Sequence, residues 1–173
     1  PRSAGYGEVL LYGHRFDADG ALKTECPLNQ PAFAGASVLV ALRNFGSGSS
    51  REAAVYALAD FGFRCVIAPS FGDIFAANAV NNGVLPAVVP DDIAQALLDR
   101  LAQDARITVD LEAQTIVCGD LRTAFAIDPV WRTKLLNGWD DLDLTLSFKS
   151  DIEAFFVRDK AERPWVAPVA RGR

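Results

Sequence analysis

The sequence predicts an α/β domain of three layers with a mixed sheet. Three observations carry this reading. Short apolar runs alternate with helical patterns over residues 37–101, in the order βαβαβα. Strict apolar–polar alternation follows over residues 107–127, as in an antiparallel ribbon. Helical patterns then close the chain, whose 173 residues can bury one sizeable core.

The elements follow in order. Residues 1–36 are turn-rich, with one apolar burst at Val9-Leu10-Leu11-Tyr12. Asp17-Ala18-Asp19-Gly20 reads as a turn; later acidic ligands are misplaced for a calcium loop. Residues 37–42 form a buried-strand pattern, and an Ala-rich helix is predicted over residues 51–61. Ser49 and Glu52 have capping-box spacing at its start, and Gly62 stops it. Residues 64–68 read as a second strand. Ser70 and Asp73 repeat the capping spacing ahead of a helix that Asn82-Gly83 ends. Residues 84–89 make a third strand candidate. Pro90-Asp91-Asp92 opens a helix with Ile93, Ala96, Leu97, Leu98 and Leu101 at helical spacing.

The ribbon is predicted from residues 107–111 and 115–117, with a turn at Glu112-Ala113-Gln114, and residues 124–127 as its third strand. Asp128-Pro129 starts a helix that Asn137-Gly138 ends. A short helix over residues 140–146 and an amphipathic one over residues 150–160 follow. The expected organisation is a turn-rich segment over 1–36, a domain over 37–160 and a loose tail over 161–173. The chain has no Met and opens at Pro1, so an upstream piece is expected to be missing.

Composition narrows the function classes. A net charge of -5 argues against non-specific binding of nucleic acid or an anionic membrane. No apolar run is long enough to span a bilayer, and no signal-peptide pattern opens the sequence. Cys26, Cys65 and Cys118 are odd in number and scattered, without Cys-x-x-Cys spacing. That pattern indicates neither a disulfide framework nor a zinc or iron–sulfur site, so no metal or cofactor is expected to be held by these cysteines, and a reducing cytoplasm is the expected home.

The stretch NFGSGSSREAA, residues 44–54, carries the functional signal. It falls where a strand leads into a helix start, where unpaired N–H groups and the helix dipole favour an anion. Gly46 and Gly48 allow close approach to the backbone, and Arg51 offers a guanidinium fork that matches a carboxylate. A dinucleotide fingerprint would need Gly at the Arg51 position, and a P-loop needs Gly-Lys-Ser/Thr. A nucleophile elbow needs Gly-x-Ser-x-Gly, and a Ser–His triad has His14 alone to draw on. A carboxylate ligand is the best physical fit.

The blocks NFGSGSSRE, CVIAPSFGDIF, NNGVLP, VDLEAQ and LLNGWDDLDLTL occur in that order. Together they resemble the small subunits of bacterial 3-isopropylmalate dehydratases, the swivelling domain of the aconitase superfamily, over residues 6–155. The resemblance implies a three-layer β/β/α swivelling domain. It implies a dehydration and rehydration that convert 2-isopropylmalate to 3-isopropylmalate in leucine biosynthesis. A large partner subunit would carry a [4Fe-4S] cluster acting as Lewis acid on the leaving hydroxyl. Carried over by position, Ser49 is the base that takes the proton α to a carboxylate, and Ser50 and Arg51 bind a carboxylate of a small dicarboxylic hydroxy acid.

The chain departs from the family in four places. Ser47 stands where the family usually has Cys, and Ala53 where it has His. Gly13-His14-Arg15 replaces Asp-Trp-Arg, and an N-terminal Asn-x-Asp-Thr-Asp block is missing. These departures leave open a relative acting on another 2-hydroxy diacid such as a methylmalate, or a non-catalytic anion-binding or regulatory module. Apart from the site, Ser47 reads as a loop residue, His14 as structural or surface, and Cys65 as inert in a buried strand.

Overall fold

A computed structural model describes residues 5–103 and 106–166. The chain divides into two compact units, Pro1–Gly138 and Trp139–Arg173. Residues 167–173 of the expected loose tail lie outside the described residues.

The first unit is built on a parallel sheet of β1 (Val38–Val40), β2 (Cys65–Ala68) and β3 (Leu85–Val88), in that spatial order. Val38 pairs with Cys65, and Cys65 with Leu85. Parallel neighbours need crossovers, and these are α2 (Ala53–Phe61) and α3 (Asp73–Asn81). Every residue of β2 is buried. Successive side chains point to opposite faces, so β2 feeds two cores. Val66 packs with Val55, Leu58, Phe75 and Val84 on the α2/α3 side. Cys65 and Ile67 pack with Ala94, Leu97, Ile116 and Phe125 on the other. That second side is covered by α4 (Asp91–Leu101) and by a ribbon of β4 (Thr108–Asp110), β5 (Thr115–Cys118) and β6 (Leu121–Ala124). Three layers result, as the sequence predicts.

The mixed pairing is divided between two sheets, one parallel and one antiparallel. A single antiparallel bridge, Val88 with Ala126, ties β3 to the chain leaving the ribbon. The third ribbon strand lies three residues earlier than predicted. A two-residue turn at Gly119-Asp120, with Gly119 at φ +57°, pairs Cys118 directly with Leu121. Ala126 is thereby left to pair with Val88 of the parallel sheet, while the Phe125 amide still donates to the Gln114 carbonyl. Beside that turn, hydrogen bonding by Arg100 holds the exposed Asp120 carboxyl below its ordinary pKa.

Helix ends follow their sequence signals where the partner is local. Gly62 caps α2 at φ +118°, and Gly138 caps α5 (Pro129–Asn137) at φ +67°. The Asp128 carboxylate accepts from the amides of Val130 and Trp131 at the start of α5. In the turn-rich segment, the Asp17 carboxylate accepts from the amides of Asp19 and Ala21. A one-turn helix, α1 (Tyr12–Arg15), follows buried Leu10. Arg15 donates to Asn29 Oδ1 and to the Glu8 carbonyl, and its guanidinium lies 4.8 Å from the Phe61 ring centroid. It thus binds this segment to α2.

The second unit contains α6 (Asp141–Ser147), with a complete capping box from Asp140 and Asp143, and α7 (Lys149–Glu162). α7 is longer than the predicted helix, and it is not amphipathic. Phe155, Phe156 and Val157 are consecutive, so they spread over about 200° of the helix surface, and all three are exposed.

Burial pushes the Cys65 thiol up to about 12. A raised thiol pKa favours the protonated, unreactive form at every pH below it. Cys118 is buried as well, whereas Cys26 is half-buried. Iodoacetamide at pH 8 should therefore modify Cys26 in the folded chain, and Cys65 only after urea unfolding, as read by mass spectrometry. Rapid labelling of folded Cys65 would contradict this burial.

Candidate active site

The loop from Arg43 to Glu52 leaves the carboxyl end of β1 and enters α2. Its first half is pinned to the loop after β2. Phe45 forms a parallel bridge with Phe71: the Phe45 amide donates to the Ser70 carbonyl, and the Gly72 amide donates to the Phe45 carbonyl. Asn44 has φ +62°, a conformation that Asn tolerates better than most residues. Its amide donates to Ser70 Oγ at 2.8 Å, and Ser70 Oγ lies 3.3 Å from Asn44 Oδ1. Gly46 has φ +77°, and a Cβ there would sit 2.2 Å from Phe75 Cγ. A Cβ on Gly72 would sit 2.9 Å from the Ser47 Cα. The backbone therefore lies directly on the start of α3.

The second half projects outward. Ser47, Gly48, Ser49, Ser50 and Arg51 are all exposed. Ser49 Oγ accepts from the Arg51 amide at 3.1 Å. The predicted capping box is not formed. The N-cap of α2 is Glu52, without a side-chain cap bond, and the helix begins at Ala53. The Glu52 carboxylate instead accepts from Asn82 Nδ2 at 2.9 Å, at the far end of α3. The second predicted box, Ser70 with Asp73, is also not formed: Gly72 is the N-cap of α3, and Ser70 serves Asn44. In both cases a tertiary partner takes the group that a local cap would have used.

The three sequence-predicted site residues therefore sit together on one exposed turn. Freed from capping, the Ser49 hydroxyl keeps one backbone N–H donor directed at its oxygen. That N–H, near the positive end of α2, favours negative charge on the oxygen. Among the described residues the Arg51 guanidinium has no hydrogen-bond or ion-pair partner, so its fork is open to a carboxylate. His14 lies exposed on α1, and among the described residues no imidazole contacts Ser49 Oγ, so the triad alternative has no geometric support. Arg43, at the loop entrance, pairs at the surface with Asp91 of α4.

Metal ligation is a separate question. Among the described residues no three His, Cys, Asp or Glu side chains are grouped to hold a metal ion. The three cysteines are distributed over the segment before β1, β2 and β5. They do not fit an iron–sulfur cluster, which takes several thiolates converging on one site.

Comparison with known proteins adds to this geometry. Residues 4–92 match the aconitase C-terminal domain family, and residues 95–129 match the family described as LeuD_N. The 3-isopropylmalate dehydratase small subunit of Rhodospirillum centenum is 45% identical over 167 residues, covering 95% of this chain and 82% of that protein. The subunit of the same name from Cereibacter sphaeroides is 47% identical, covering 94% and 83%. That of Shouchella clausii is 45% identical, covering 91% and 80%. Among solved structures, 3-isopropylmalate dehydratase (leuD) from Methanocaldococcus jannaschii superposes with a TM-score of 0.51 at 29% identity, over 68% of each chain.

The loop geometry makes a direct prediction. Gly46→Ala should destabilise the chain by about 1–3 kcal/mol in urea unfolding, because the methyl group meets Phe75 and the backbone is left-handed. Gly48→Ala should change stability by less than about 0.5 kcal/mol, because a Cβ there meets nothing within 4 Å. Equal effects at the two positions would contradict the described packing.

Proposed function

This chain belongs to the family of 3-isopropylmalate dehydratase small subunits, within the aconitase superfamily, and on that premise we propose that it is the small subunit of a heteromeric hydro-lyase. In this reading it isomerises 2-isopropylmalate to 3-isopropylmalate only when joined to a large subunit that carries the [4Fe-4S] cluster. This chain's own cysteines do not fit the cluster, so its contribution lies in the turn at Ser49, Ser50 and Arg51.

The carrying observation is the exposure of that turn on a loop whose first half is pinned against the start of α3. A serine base in open water is weak, because water competes for every donor that would stabilise the alkoxide. A second surface that closes over the turn excludes that water and strengthens each remaining interaction. Arg51 would then hold a substrate carboxylate through paired N–H donors, with the Ser50 hydroxyl as an additional donor. Ser49 would take the proton from the carbon α to that carboxylate. The electrons of the broken C–H bond form the double bond as hydroxide departs from the neighbouring carbon. Rehydration reverses these roles, with water adding at the other carbon.

The test is reconstitution. The purified chain is mixed with a cognate large subunit, and the unsaturated diacid intermediate is followed by absorbance. Ser49→Ala should lower turnover by about 10²–10⁴-fold, the range for loss of a positioned base, while the subunits still co-elute. Arg51→Lys should raise KM about 10–100-fold, because an ammonium cannot reproduce the paired contact. No turnover of any alkylmalate by the unmutated pair would favour a non-catalytic anion-binding module. Full activity in Ser49→Ala would remove the base assignment.

A further inference from the structure

The two ends of helix α3 touch the loop on either side of the candidate turn. At its start, Phe75 and Gly72 receive Gly46 and Ser47. At its end, Asn82 Nδ2 donates to the Glu52 carboxylate at 2.9 Å and to the Asn78 carbonyl at 2.9 Å. Asn82 therefore locks its own side chain to the last turn of α3 while holding the residue that follows Arg51. Asn81 is the neighbouring anchor: its Oδ1 accepts from the ammonium of Lys134. Lys134 is 3% exposed, the one buried charged residue among the described positions, and it projects from α5. A cation at the carboxyl end of α3 also suits the helix dipole.

We propose that Asn82 is a positioning residue for the substrate-binding turn. It fixes Glu52, and through the backbone next to it Arg51 and Ser49, against an α3 end that Lys134 anchors to α5. The inference rests on the dehydratase reading for its consequence, but the coupling itself is a property of this chain. Arg51 and Glu52 are adjacent, and the Arg51 amide is the donor to Ser49 Oγ. A change in the Glu52 backbone is therefore transmitted to both proposed site groups. Substrate orientation responds steeply to small displacements, so loss of the clamp acts mainly on turnover.

Two measurements decide it. In the isolated chain, ¹⁵N relaxation should give order parameters typical of rigid backbone, about 0.85, at Ser50, Arg51 and Glu52, falling below about 0.6 in Asn82→Ala. The middle of α2 should be unchanged. In the reconstituted enzyme, Asn82→Ala and Glu52→Ala should each lower kcat about tenfold or more, and the double variant should be no worse than either single. Glu52→Gln, which keeps an oxygen acceptor for Asn82, should retain kcat within about threefold. Additive losses in the cycle, or unchanged order parameters in Asn82→Ala, overturn the proposal. If Asn82→Ala does not fold, Asn82→Asp sets a carboxylate against Glu52 and should loosen the same three residues. If the unmutated pair is inactive, the dehydratase reading fails, and the relaxation measurement alone decides the coupling.

Discussion

The complete burial of β2 is the constraint on which the first unit depends. A strand buried on both faces must be covered on both, and its alternation of Cys65 and Ile67 against Val66 sends side chains into two separate cores. One cover is α2 with α3, and the other is α4 with the antiparallel ribbon. Because β1, β2 and β3 run parallel, their exit loops gather at one end of the sheet. The pinning of Phe45 against Phe71 follows directly, since both residues leave neighbouring strands at that end. The candidate turn is thus a by-product of sheet topology, sharpened by two glycines that permit contact closer than any side chain would allow.

That arrangement separates the supported part of the loop from the exposed turn at Ser49, Ser50 and Arg51. Phe45 and Gly46 are half-buried and packed on Phe75 of α3, while Ser47 to Arg51 are exposed. Within one chain such a division would be wasteful, because an exposed serine gains little from its single N–H donor. In the proposed function the division has a use, because the large subunit would close over the exposed turn and supply the missing wall. The same division accounts for the cysteines. Cys65 and Cys118 serve the core beneath the parallel sheet, where burial keeps the Cys65 thiol protonated.

The turn-rich segment before β1 is held in a different way. It has little regular structure; Leu10 packs into the core, Asn29 donates to the Arg15 and Lys23 carbonyls, and Arg15 joins carbonyls, an amide side chain and the Phe61 ring. The close approach of Gly7 to the end of α2, where a Cβ would lie 2.9 Å from the Phe61 amide, belongs to the same contact. A guanidinium with five donors can organise an irregular segment because it satisfies several backbone carbonyls at once.

By itself the sequence determined whatever depends on neighbours along the chain. The order of strands and helices was legible in its apolar periodicity, as were the glycine ends at Gly62 and Gly138 and the Asp128 cap. Ser49, Ser50 and Arg51 were legible as a group because they are consecutive. The capping boxes at Ser49 and Ser70 were misread, because spacing alone does not reveal a competing partner 26 or 30 residues away. Asn82 ends α3 as its sequence signal predicts, but its hydrogen bond to Glu52 was not legible, for the same reason. The shift of the third ribbon strand came from a two-residue turn at Gly119-Asp120, and the pairing divides between two sheets because Val88–Ala126 is an isolated bridge and not a full ladder. Only the tertiary structure decided these points, because a hydrogen-bonding group goes to the partner that packing brings nearest, and packing joins residues that the sequence keeps far apart.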